Sequence, residues 1–167
     1  ADRVTKYEWG QEVVPGITAA LGAAAELQIP LTDRRCARRL QFVTGHIEEG
    51  AIANHDWESM AEPWTTTAIY MAAGAFPAAL ERLLAAGLDP DTPAVVATAA
   101  TTRRSHYLSC RAHELSEAIA GINRREPCLI VIGRAIGVPN GDARVAARAA
   151  ALPLSRNALS GRCGAKA

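Results

Sequence analysis

Aromatic residues are scarce: three Trp, three Tyr and two Phe amount to 5% of a 167-residue chain. A core must then be filled by Ala, Leu, Val and Ile, and at 49% hydrophobic content there is enough of them for one domain. An excess of charge of either sign is lacking as well. Eighteen basic residues face seventeen acidic ones, net +1, which excludes wholesale nucleic-acid binding and leaves any electrostatic function local. Cys36, Cys110, Cys128 and Cys163 contain no Cys-x-x-Cys pair, and His46, His55, His106 and His113 are equally dispersed. Neither a disulfide framework nor a zinc cluster can be read from such spacing. Reduced thiols fit a cytosol-like compartment. No apolar run reaches membrane-spanning length, because Gly74 and Pro77 interrupt the best candidate, Ala68 to Leu80. No signal-peptide pattern opens the chain. These absences lead to the expectation of a soluble cytoplasmic domain with no metal, no membrane and no nucleic-acid partner.

What is present is organised around Val13-Val14-Pro15-Gly16-Ile17-Thr18-Ala19-Ala20. A short apolar stretch, a strand or extended entry, meets Pro-Gly, and an alanine-rich helix over Thr18 to Gln28 follows, ended by Ile29-Pro30. Glycine permits a sharp turn there, and helix-start amides with the Thr18 hydroxyl offer hydrogen-bond donors. The bland reading of such a strand–turn–helix is plain packing. Four arginines, Arg34, Arg35, Arg38 and Arg39, crowd the next turn. They form either a solvated basic turn or a bidentate clamp for carboxylates. Arg39 to His46 runs as a strand, Glu48 to Asn54 reads as a loop, and Asp56 caps a short helix with Ser59 three residues on. Thr65 to Ala72 is a buried strand. Pro77 to Ala86 is amphipathic, with Ala79, Leu80, Leu83 and Leu84 inward and Gly87 at its end. Strands over Pro93 to Thr98 and His106 to Cys110, a helix over Glu114 to Ile122 and a strand over Cys128 to Ile132 complete the series. The fold class is α/β, a mixed five-stranded sheet flanked by helices. The short turn near Arg103 requires its two strands to be antiparallel. Three segments are expected: a polar piece over 1–11, a domain over 12–137, and an alanine/arginine-rich tail over 138–167.

In order and spacing, V-V-P-G-I-T-A, P-L-T-D-R, F-V-T-G-H-, I-Y-M-A and C-L-I-V-I-G resemble the C-terminal half of the tetrapyrrole methylase family. The likeness runs from about Glu12 to Ile136, so residues 1–11 are expected to be a non-family N-terminal segment or linker. The F-V-T-G-H segment (Phe42 to His46) favours the uroporphyrinogen-III C-methyltransferase branch over precorrin, ribosomal-RNA or diphthamide methylases. The resemblance implies methyl transfer from S-adenosylmethionine to carbons of uroporphyrinogen III, giving precorrin-2 on the way to sirohaem and cobalamin. It implies cofactor contacts from Thr18, Ala19, Met71, Ala99 and Ala100, and contacts to the tetrapyrrole substrate from Arg34 and His46. No catalytic acid, base or nucleophile is implied, and no metal ligand.

Three departures from the family pattern matter. Ala99-Ala100 stands where the family has an Asn-Gly turn. Thr32-Asp33-Arg34 replaces Thr-His-Arg, bringing an acid near a polycarboxylate substrate unless Arg34 neutralises it. The Gly-Pro-Gly-Asp-Pro-like cofactor loops of the family's N-terminal domain do not occur in this sequence. The resemblance therefore implies that this chain supplies one wall of a cleft whose other wall is an N-terminal methylase domain. A homodimer is allowed by the family pattern. The competing expectation is a methylase-derived, non-catalytic structural subunit of a larger assembly.

Overall fold

A computed structural model describes residues 12–45, 47–48, 51–52, 55–71, 74, 76–123 and 125–137. The polar piece over 1–11, the tail over 138–167 and His46 lie outside the described residues. In chain order the elements are α1 (Ala19–Leu27), β1 (Arg39–Thr44), the two-residue strands β2 (Ile47–Glu48) and β3 (Ala51–Ile52), and α2 (Trp57–Ala61). Then come β4 (Thr65–Tyr70), α3 (Phe76–Ala85), β5 (Pro93–Thr98), β6 (His106–Arg111), α4 (Leu115–Ala120) and β7 (Cys128–Ile132).

Five strands form one sheet in the order β1-β4-β7-β5-β6. β1 and β4 are parallel, and β7 runs antiparallel to both β4 and β5, between which it lies. Cys-Leu-Ile-Val-Ile is uninterruptedly apolar because every one of its residues is buried; a strand covered on both faces needs no polar alternation. The outer strands differ: β1 mixes exposed and half-buried positions, and β6 buries only Cys110.

Two apolar layers sandwich the sheet. One holds Ile69, Val96, Ile130 and Ile132 under Met60 of α2, Phe76, Leu80 and Leu83 of α3, and Leu115 and Ile119 of α4. The other holds Ala68, Val95, Ala97, Leu129 and Val131 under Ala20 and Ala23 of α1 and Ile136. Alanine on both sides lets α1 lie close to the sheet. The Asp56 carboxylate accepts from the Ser59 amide at 3.0 Å, the expected cap.

Several expectations are corrected. Of the two alternatives for Val13 and Val14, the strand is not formed: both lie outside any strand and are 92% and 76% exposed. Gly87, expected at the end of α3, is left-handed at φ 99. Gln28, at φ 54, ends α1 one residue before Ile29-Pro30, and its amide turns back to the Ala25 carbonyl at 3.2 Å. The segment read as a loop after Glu48 carries part of the antiparallel pair β2–β3, with Glu48 opposite Ala51. The helix expected over Glu114 to Ile122 is only α4, preceded by a 3-10 turn over Ala112–Glu114, since Gly121 offers no helical preference to extend it.

Candidate functional site

β4 and β5 are both antiparallel to β7, and β1 is parallel to β4. The C-terminal ends of β1, β4 and β5 consequently share one edge of the sheet, the edge where ligands bind in open α/β folds. At that edge β4 and β5 end in two sharp bends. Met71 has φ 57, Ala99 φ 45 and Thr101 φ 64, left-handed values that side chains larger than glycine adopt at a cost. Consecutive carbonyls hold the two bends: Cys128 accepts from the Met71 amide at 3.3 Å, and Pro127 from the Ala99 amide at 2.9 Å. With β7 between them, the bends lie roughly two strand spacings, about 10 Å, apart.

Helix α1 begins over the first bend and runs toward the second. Thr18 occupies its N-cap position, yet its side chain caps nothing; its hydroxyl meets the hydroxyl of Tyr70 instead. The same phenol oxygen accepts from the Ala20 amide at 3.1 Å. One turn on, Gly22 faces Thr101 so closely that a Cβ on Gly22 would lie 2.3 Å from the threonine methyl. Next, the Tyr107 hydroxyl donates to the Glu26 carboxylate and receives the Thr101 amide at 3.4 Å. Burial, then the Glu26 bond, holds the Tyr107 hydroxyl above its ordinary pKa. Ala19, Tyr70, Ala100 and Tyr107 pack around the α1 layer.

Thr18, Ala19, Met71, Ala99 and Ala100 therefore border one edge and one helix, although they are widely separated in sequence. Met71 is 64% exposed and Ala99 is buried. Arg34 is elsewhere. It stands in the tight turn closed by the Asp33–Ala37 bridge, ahead of the first residue of β1. That is the opposite end of the strand from Thr44, roughly 17–20 Å away at the usual rise per residue. The neutralising partner of Asp33 is Arg35, at 2.7 Å, rather than Arg34. Hydrogen bonds from Arg35 hold the Asp33 carboxyl down at about 2. Arg38 stacks over Trp64 at 5.1 Å, and Arg39 pairs with Glu62 at 2.8 Å. Only Arg34 of the four arginines lacks both an ion pair and an aromatic partner among the described residues.

Reasoning from sequence missed Tyr70 and Tyr107. Tyr70 follows Ala68 by two positions, so strand alternation puts it on the face that α1 covers; that signal was available. Nothing local marks Tyr107 as a partner of Glu26, which is 81 positions away.

The family model for tetrapyrrole (corrin/porphyrin) methylases matches residues 2–116. The chain belongs to the tetrapyrrole methylase family. That match starts ahead of Glu12, where the resemblance of the motifs begins. A siroheme synthase of Methylococcus capsulatus is 36% identical over 76% of this chain and 27% of its own length. A uroporphyrinogen-III C-methyltransferase of Paracoccus denitrificans is 37% identical over 79% of this chain and 46% of its own length. Among solved structures, the uroporphyrin-III C-methyltransferase of Thermus thermophilus complexed with S-adenosylhomocysteine superposes with TM-score 0.61 and 28% identity. It matches 75% of this chain and 53% of that one. The chain thus spans from about a quarter to a half of these family members. Among its described residues no helix is long and apolar enough to cross a membrane.

Proposed function

We propose that this chain provides one wall of the cleft of an S-adenosylmethionine-dependent uroporphyrinogen-III C-methyltransferase, acting in the cytoplasm in sirohaem and cobalamin formation. The observation that carries the reading is the gathering of Thr18, Ala19, Met71 and the Ala99–Thr101 turn along one strand-end edge, in a chain of this family. The edge fits the cofactor in chemistry. The side chains of Ala19 and Ala100 are small enough to admit a flat ring system, Met71 offers an exposed thioether, and Thr18 carries a hydroxyl on an uncapped helix start. S-adenosylmethionine, when bound, supplies an electrophilic methyl group, and a reduced tetrapyrrole carbon is already electron-rich enough to take it. The protein's task is then alignment, which is what a rigid edge supplies. Thr18 and the two bends would orient the ligand from one side. Val13, Val14 and Ile17, 92%, 76% and 83% exposed beside the helix start, leave apolar surface that an N-terminal methylase domain would cover and dry. Within this reading His46, just past Gly45 in sequence, contacts the tetrapyrrole. Arg34, at the far end of β1, meets only a peripheral carboxylate.

A second reading, a methylase-derived structural subunit, is favoured by Ala99-Ala100, which lacks the side-chain amide of the Asn-Gly turn. A methylation assay with uroporphyrinogen III separates the two, run on this chain alone and with a family N-terminal domain added in trans. The chain alone should be silent, because one open wall leaves the reacting atoms poorly held. Turnover on adding the second domain is the expected result. Substantial turnover by the chain alone overturns the single-wall arrangement, and silence in both overturns the enzyme in favour of the subunit.

A further inference from the structure

We infer that Tyr70 is a positioning residue that turns Thr18 into a hydrogen-bond donor toward the ligand, so that its proton is offered to an acceptor atom there. The inference rests on the cofactor reading above and gives that site a polarity.

A tyrosine hydroxyl has one proton to donate and two lone pairs to offer. One lone pair of Tyr70 is taken by the Ala20 amide at 3.1 Å, which can only donate. The remaining contact is with the Thr18 hydroxyl. If Thr18 donated to Tyr70, the phenol proton would have no acceptor, since Thr18 and Ala20 are its only hydrogen-bond partners among the described residues. The site is partly buried, and a donor left unmade there is costly. The arrangement that satisfies every group runs Tyr70 O–H to Thr18 Oγ1. The proton of Thr18 is then left to point away from Tyr70, toward the open edge that Met71 borders. The Thr18 proton is the group of this pair left without a protein partner, and an acceptor such as a ring nitrogen, a ribose oxygen or a carboxylate would satisfy it.

The Tyr70 ring is itself held. It packs in the layer beneath α1, and Phe42 meets it edge-on with centroids 6.2 Å apart and planes at 62°. Met71 follows it directly, so the ring that orients Thr18 also anchors the bend at φ 57. Tyr70 does not touch the reacting atoms; it acts through Thr18.

Two measurements on the full chain test this. In proton NMR at low temperature, the Tyr70 hydroxyl should appear as a slowly exchanging resonance with a cross-peak to the Thr18 side chain. It should vanish in Thr18→Val and return in Thr18→Ser, which restores only the oxygen. A Tyr70 hydroxyl exchanging as fast as in free tyrosine overturns the orientation. In the second measurement S-adenosylhomocysteine is titrated to millimolar concentration. Thr18→Val and Tyr70→Phe should each weaken binding by about tenfold, the scale of one lost hydrogen bond. The double variant should be no weaker than Thr18→Val, because Tyr70 acts only through that hydroxyl. Wild-type affinity in Tyr70→Phe, or fully additive losses, overturns the positioning role. Should Tyr70→Phe fail to fold, a Thr18→Val chain binding as tightly as wild type overturns it equally. If the wild-type chain binds no S-adenosylhomocysteine even with the family N-terminal domain added in trans, the cofactor reading is what fails, and the NMR result still decides the hydroxyl orientation.

Discussion

Gly22→Ala tests the contact on which the candidate edge depends most, the close approach of α1 to the turn after β5. By helix propensity alone, alanine for glycine inside a helix stabilises by about 1 kcal/mol. Here the new methyl would lie 2.3 Å from Cγ2 of Thr101, well inside van der Waals contact. Thr101 has little freedom to retreat: its backbone sits at φ 64, and β-branched side chains are stiff about χ1. Overpacking of this kind costs about 1–3 kcal/mol. Overpacking should win, leaving a net loss of about 1 kcal/mol, which for a domain of this size lowers Tm by roughly 3–5 °C. Thr101→Ser removes the obstructing methyl, so on that background Gly22→Ala should change sign and stabilise by up to about 1 kcal/mol. Thermal and urea unfolding of the four proteins, followed by circular dichroism, reads the cycle directly. A Gly22→Ala chain that melts higher than wild type, or by the same shift on both backgrounds, refutes the packing of α1 on the Ala99–Thr101 turn.

Two further outcomes concern titration. Arg35 holds the Asp33 carboxyl at about 2, below its ordinary 3.8, so the pair contributes stability that is present above about 4 and lost as pH falls toward 2. Asp33→Asn should lower stability slightly near neutrality and flatten the fall between about 4 and 2, so that the two curves converge at acid pH; an unaltered acid limb in urea titrations counts against the ion pair. Burial raises the Cys128 thiol to about 11, and burial aided by the Glu114 charge raises Cys110 to about 12. Neither should react with Ellman's reagent at pH 8 until urea unfolds the chain; rapid labelling of either in the native state, located by peptide mapping, would contradict the packed sheet.

The sequence by itself determined the elements whose causes are local. β7 is legible because a strand buried on both faces needs apolar residues at every position, and Cys128 to Ile132 has them. The inner face of α3 is legible because helical spacing gathers Ala79, Leu80 and Leu83. The Asp56 cap needs only residues three apart. Motif order also identified the family, since it does not depend on packing. Only the tertiary structure could insert β7 between β4 and β5, because strand order is set by which faces bury each other and not by any residue within a strand. The same holds for the edge. Thr18 and Tyr70 are 52 positions apart and Tyr107 and Glu26 are 81 apart, so no local pattern ties either pair. The left-handed bends at Met71, Ala99 and Thr101 run against the preference of those residue types. They persist because the Pro127 and Cys128 carbonyls hold two of them, at Ala99 and Met71, and the Tyr107 hydroxyl takes the Thr101 amide. A residue can be held against its own preference only by neighbours distant in the chain, and a sequence read locally does not contain them.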